Sequence, residues 1–192
     1  MGKKSSKHSL DTQALSDLQK HTSFSVEELQ QWFQDFKKDC PKGSLSQPDF
    51  QRVYTKFFPK GDPTKFTEHV FRTFDSDQNG TIDFREFMCG MSTLMKGSAS
   101  DKLSWIFNLF DVDGNGFISR VEMVEILKAI DGMIGEDTHR QSFHESTSSP
   151  EERTEIIFDR ADENSDGMLS KEEFLDAART DPAVMAMLQI AV

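Results

Sequence analysis

The chain has 192 residues and a formal net charge of −11, which lacks the basic stripe that phosphate backbones require and argues against nucleic acid as a partner. Its length suits one large domain or two lobes, and no run approaches the roughly 18 consecutive apolar residues of a membrane span, so a soluble protein is expected. Two cysteines, Cys40 and Cys89, are too few for a disulfide framework and read as reduced thiols.

At the N-terminus, Met1, Gly2 and Ser6 fit the N-myristoylation pattern: glycine becomes exposed on removal of methionine, and a serine follows four positions later. The segment has no apolar core of the secretory kind. One myristoyl chain binds membrane only marginally. Lys3, Lys4 and Lys7, opposite in sign to the rest of the chain, supply a second attraction to anionic lipid.

Beyond that segment one pattern occurs four times: an apolar-periodic stretch, a loop with glycine at its sixth position and an aliphatic at its eighth, then a second periodic stretch. The glycines are Gly43, Gly80, Gly116 and Gly167, and the aliphatics Leu45, Ile82, Ile118 and Leu169. Large apolar residues before the first three loops have helical spacing: Leu29, Trp32, Phe33 and Phe36; Phe66, Val70, Phe71 and Phe74; Leu103, Ile106, Phe107 and Phe110. Ile156, Ile157, Phe158 and Ala161 form a weaker fourth set. Ser25 with Glu28 predicts a capping box, flanked by Phe24 and Leu29 as a staple. Ser149, Pro150 and Glu152 predict another helix start, and Asp62 and Pro63 an N-cap with a first-turn proline. Lys96–Ser100 and Gly132–Ser149 read as linkers, the first dividing the chain into two lobes.

The second, third and fourth loops carry the chemistry. Calcium takes six to eight hard oxygen ligands, which a twelve-residue EF-hand loop delivers from positions 1, 3, 5, 7, 9 and 12. In the second loop these are Asp75, Asp77, Asn79, the Thr81 carbonyl, Asp83 and a bidentate Glu86. In the third they are Asp111, Asp113, Asn115, the Phe117 carbonyl, Ser119 and Glu122; in the fourth, Asp162, Asn164, Asp166, the Met168 carbonyl, Ser170 and Glu173. A lone match would be compatible with a solvated acidic turn, but three in register are not. Positions 9 and 12 are also spaced as N-cap and third residue of the outgoing helix, which ties metal binding to helix orientation.

The first loop departs from the pattern. It has Lys38 at position 1, Cys40 at 3, Pro41 at 4, Lys42 at 5 and Asp49 at 12. Two ammonium groups at ligand positions repel a divalent cation, so three calcium ions are expected, not four. The first hand then reads either as a vestige kept to pair with the second or as a shape held for a partner or acyl chain.

Seventeen phenylalanines and nine methionines are many for this length, and most of them read as core packing, with a minority left to face a partner. Sensor EF-hands open on binding calcium and expose an adaptable apolar groove for an amphipathic helix. Trp32, Phe36, Phe50, Val53, Tyr54, Phe57, Phe87, Met88 and Met91 are the candidates for it. The histidines His8, His21, His69, His139 and His144 have no zinc spacing and read as surface or linker residues. No catalytic constellation is visible, so the chain is not expected to be an enzyme.

Several segments together resemble the neuronal calcium sensor family: the acylation pattern, KDCPKG in the first loop, EHVFRTFD leading into GTIDFREF, DVDGNGFISR, and TDPAVMAMLQ after the last hand. The likeness is to its neurocalcin, hippocalcin and visinin-like group and covers nearly the whole chain. It implies that Gly2 is myristoylated, that the acyl chain folds into the N-terminal lobe without calcium, and that calcium extrudes it to anionic membrane. A groove would then open for helices of receptor kinases, cyclases or channels, and a calcium-dependent dimer is a further expectation. Residues 7–17 and the Gly132–Ser149 linker depart from the family pattern and leave the target open.

The expected fold is therefore all-α, four EF-hands in two pairs, with lobes at 1–97 and 98–192. The protein would be cytoplasmic, and peripheral to membranes when calcium-bound. Competing readings are a constitutive calcineurin B-like subunit of an enzyme, against which the first loop speaks, and a plain calcium buffer that barely opens.

Overall fold

The computed structural model describes residues 10–134 and 149–188. Gly2, His8, His139 and His144 lie outside the described residues, as do the side chains of Val53 and Phe57. The elements in chain order are α1 (Thr12–His21), α2 (Val26–Asp39), β1 (Ser44–Ser46), α3 (Gln47–Phe57), α4 (Thr64–Phe74), β2 (Thr81–Asp83) and α5 (Phe84–Lys96). The second half has α6 (Ala99–Phe110), β3 (Phe117–Ser119), α7 (Arg120–Ile134), α8 (Pro150–Ala161), β4 (Met168–Ser170), α9 (Lys171–Thr180) and α10 (Pro182–Leu188). No described helix is long and apolar enough to cross a membrane.

Each loop runs through a three-residue strand, and the strands pair antiparallel, β1 with β2 and β3 with β4. Leu45 faces Ile82, and Ile118 faces Leu169, so the eighth-position aliphatics zip the hands into pairs. Two-stranded ribbons are marginal in water. Here the flanking helices cover the inward aliphatics, and Ile82, Ile118 and Leu169 are wholly buried.

Local signals place the helix ends as expected. Ser25 and Glu28 form a reciprocal capping box, with Phe24 and Leu29 buried beside it, and Ser149 and Glu152 form another with Pro150 in the first turn. One start is displaced by a residue: Pro63 occupies the N-cap of α4, while the Asp62 carboxylate accepts from the Thr64 amide at 3.0 Å and its hydroxyl at 2.6 Å. The linker read over Lys96–Ser100 contracts to Gly97 and Ser98. Lys96 ends α5, and Ser98 caps α6 in a box with Asp101.

The two halves are packed on each other, and their buried residues form one continuous cluster. Helix α4 lies against both α6 and α7. The turn before it also clasps the end of α7: the Asp62 amide donates to the Gly132 carbonyl at 2.7 Å, and a Cβ on Gly61 would sit 2.0 Å from the Met133 carbonyl oxygen. This packing corrects the surface reading of His69. It is buried on α4 with its Nε2 3.4 Å from Glu125 of α7, because the polar side of α4 is covered by the second lobe.

Candidate metal centres

Backbone geometry sets each loop before any ligand is considered. The sixth-position glycines all take positive φ, from +82° to +89°, a region that favours glycine. The fourth position is also left-handed in three loops: Gln78 at +57°, Gly114 at +71° and Ser165 at +58°. The first loop has Pro41 there, whose ring fixes φ near about −65° and forbids that turn. The sequence shows Pro41 openly; what it conceals is that its three counterparts need the opposite sign of φ.

In the second loop the Asp75 carboxylate accepts from the Asn79 amide at 3.0 Å and the Gly80 amide at 2.9 Å, which fixes the first ligand at the mouth of α4. Asp77 accepts from the Asn79 amide, and Asn79 in turn accepts from the Thr81 amide at 2.8 Å. Glu86 is shared between loop and helix. One oxygen accepts from the Ser76 and Asp77 amides at 2.9 and 3.2 Å, the other from the Asp83 amide at 3.0 Å. With the Glu86 amide bonded to Asp83, position 12 closes the loop and caps α5 together.

The third loop repeats this almost bond for bond. Asp111 accepts from Asn115 and Gly116, each at 3.0 Å. Glu122 accepts from the Val112 and Asp113 amides at 2.9 and 3.2 Å and from both the amide and hydroxyl of Ser119. Burial pushes the Glu122 carboxyl up, but the bonds from Ser119, Asp113 and Val112 outweigh it and hold the group below its ordinary range. It is thus kept as the anion a cation requires.

Oxygen atoms of Asp75, Asp77 and Glu86 lie within 4.8 Å of one another, as do those of Asp111, Asp113 and Glu122. The first and last of each set are buried. Three carboxylates this close repel one another strongly unless a cation sits among them. Hard oxygens in a pre-turned loop fit Ca²⁺ and suit neither zinc nor a soft metal. The fourth loop has the same frame, with Asp162 accepting from the Asp166 and Gly167 amides and Ser170 and Glu173 forming a capping box. The Ser170 hydroxyl bond most lowers the Glu173 carboxyl. Neutral Asn164 takes the place of the position-3 aspartate and donates to Asp166 at 2.9 Å.

The first loop is occupied by its own side chains. Asp49 accepts from the Ser46 hydroxyl at 2.6 Å and from Arg52 at 2.9 Å, Ser46 doing most to hold its carboxyl low. Cys40 is buried, and burial raises its thiol, so position 3 offers neither a hard oxygen nor a thiolate. Lys38 and Lys42 point to solvent.

Of the groove candidates, Phe36, Phe50 and Met88 are buried and present no surface to a partner in this conformation. They fill the junctions between helices: Phe36 lies 5.4 Å from both Phe84 and Phe87 of α5, and Phe50 packs on Phe71 and Phe74 of α4. Trp32, Tyr54, Phe87 and Met91 are partly buried against that core. Trp32 meets Phe87 edge-on at 5.8 Å, continuing an aromatic chain from Phe24.

The comparisons agree with this geometry. A model described as an EF-hand domain pair matches residues 100–179, and one described as an EF hand domain matches residues 67–94. Recoverin of Homo sapiens is 42% identical over 181 residues, 94% of this chain and 90% of recoverin. S-modulin of Aquarana catesbeiana is 38% identical over 180 residues, 94% of this chain and 89% of S-modulin.

Proposed function

Since the chain belongs to the neuronal calcium sensor family of EF-hand proteins, we propose that it binds three calcium ions and couples their binding to release of an N-terminal acyl group and opening of an aromatic groove. It is a calcium sensor and not an enzyme. In the proposed cycle, calcium moves it to anionic membrane, where it regulates target proteins through their amphipathic helices.

The observation that supports a sensor over a buffer is the double use of the twelfth-position glutamates. Glu86, Glu122 and Glu173 each close a loop and cap the helix that leaves it. An ion that draws on such a carboxylate must also act on the orientation of α5, α7 or α9. Bound calcium would supply a fixed positive charge among Asp75, Asp77 and Glu86, among Asp111, Asp113 and Glu122, and among the fourth-loop oxygens.

Helix α5 carries Phe84, Phe87 and Met91, so a rotation driven from Glu86 reaches the aromatic chain directly. Gly2 and its lysines are the proposed membrane contacts, with the acyl chain held by the N-terminal lobe when calcium is absent. Liposome co-sedimentation of the N-myristoylated chain tests the reading. Binding that rises with calcium and is lost in Gly2→Ala supports it, and equal binding in calcium and chelator would sink the switch.

A further inference from the structure

Arg72 is a basic residue in the last turn of α4, three residues before Asp75, the first ligand of the second loop. Its guanidinium does not reach its own loop. It crosses to the second lobe, donating to the Asp111 carbonyl at 2.8 Å through one terminal nitrogen and to the Asn108 and Leu109 carbonyls at 3.1 and 2.9 Å through the other. These carbonyls belong to the end of α6, where backbone acceptors have no intrahelical partner and the helix dipole is negative. Asp111 is both the C-cap of α6 and the first ligand of the third loop.

We infer that Arg72 is a positioning residue that couples the second and third calcium loops, by holding the ends of their entering helices, α4 and α6, in one fixed relation. The inference rests on the reading that both loops bind calcium. A planar fork that engages three carbonyls specifies direction as well as distance, which a point charge on a flexible stem does not. The carboxylates of Asp111, Glu122, Glu125 and Asp113, all of the third hand and its outgoing helix, favour the charged guanidinium against the cost of its burial. An ion seated at Asp75 therefore acts on the third loop through the turn of helix that carries Arg72, and an ion at Asp111 acts back by the same path. Coupling between two binding sites is reciprocal and commonly amounts to about fivefold or more in affinity.

The test measures calcium affinity at the third loop by calorimetry on the full chain, with and without Glu86→Gln to disable the second, in proteins carrying Arg72, Arg72→Met or Arg72→Lys. With Arg72 present, Glu86→Gln should weaken the third site about fivefold or more. With methionine this penalty should fall below about twofold, and lysine should restore less than half of it, because one ammonium cannot serve the three carbonyls together. An undiminished penalty in Arg72→Met, or full restoration by lysine, would overturn the inference. If Arg72→Met does not fold, the lysine protein decides on the same criterion.

A second readout needs no calcium. In chelator, amide exchange at Val112–Gly116 should quicken in the Arg72 variants while that of Gly167 in the fourth loop stays as it was, and equal change at both would mark a general loss of stability and overturn the assignment. Absence of calcium binding at the second or third loop in the Arg72 protein is a different failure, which would remove the three-site reading and the coupling together.

Discussion

The first and third loops share a skeleton and differ in what hangs on it. Both have a sixth-position glycine at nearly the same φ, +87° and +89°, both run into a three-residue strand, and both bury an aliphatic against a partner hand. The third adds a left-handed fourth residue, Gly114, and carboxylates drawn together by amides. The first has Pro41 in that place, an exposed Lys38 and Lys42, and an Asp49 already engaged by Ser46 and Arg52. Pairing of hands and binding of metal are therefore separate properties of the motif. The skeleton is held by apolar burial, and the ion site by local turns and charge.

That separation can be broken at the skeleton first, where the largest effect is expected. Ile118→Ala and Leu45→Ala should each destabilise the calcium-free protein by about 2–5 kcal/mol, with Leu45 at the lower end since it keeps some exposure. Urea unfolding in chelator measures this. A negligible effect at Leu45 would mean that the first hand is not a structural partner at all.

At the ligands, Glu122→Gln removes a charge and one of the two equivalent carboxylate oxygens from the third loop while leaving its helix cap, glycine and strand in place. Calcium affinity there should fall by about 100-fold or more, beyond the loss of a mere supporting group. Calorimetry that finds less than a tenfold change would place the ion elsewhere.

Converting the first loop sharpens the role of Pro41. Lys38→Asp, Cys40→Asp, Lys42→Asn and Asp49→Glu together supply the oxygens. With Pro41→Gly added, the converted loop should bind a fourth ion in the sensor range of about 10⁻⁷ to 10⁻⁵ M. With proline kept it should bind roughly tenfold more weakly, as expected for backbone strain of order 1–3 kcal/mol. Equal affinity in the two proteins would show that charge alone disables the loop.

The smallest effect concerns α4, the frame that carries the second loop. Burial pushes His69 below its ordinary pKa, Glu125 pulls it partly back, and Arg72 adds to the depression, with lesser effects from Glu68 and Lys65. A depressed folded pKa gives stability that is complete above about 6.5 and is lost as pH falls toward the folded value, because the unfolded chain then binds the proton more readily. Denaturation from pH 7.5 to 5.5 should show that loss, and His69→Gln should flatten it. Stability that rises on acidification of the native protein would contradict the assignment.

Much of the local structure was legible in the sequence. Capping boxes at Ser25, Ser149 and Ser170 and the eighth-position aliphatics are short-range patterns whose partners lie three residues away or in the matching hand. Ser98 and Asp101 carry the same signal but were masked by the Gly-Ser composition of the segment, which suggested a linker. What stayed hidden was long-range. Nothing beside Arg72 points to carbonyls 36 to 39 residues further on, and His69 looks like a surface residue until α7 covers it. The groove candidates differ for a related reason, since nothing in the sequence separates Phe36, Phe50 and Met88, which the helices bury, from Trp32 and Phe87, which they leave partly open.

Native mass spectrometry of the full chain against calcium tests the central claim most directly. Three bound ions are predicted, falling to two in each of Glu86→Gln, Glu122→Gln and Glu173→Gln and staying at three when Asp49→Asn is made. A fourth ion in the native chain that disappears with Asp49→Asn, or a glutamate variant that still binds three, would contradict it.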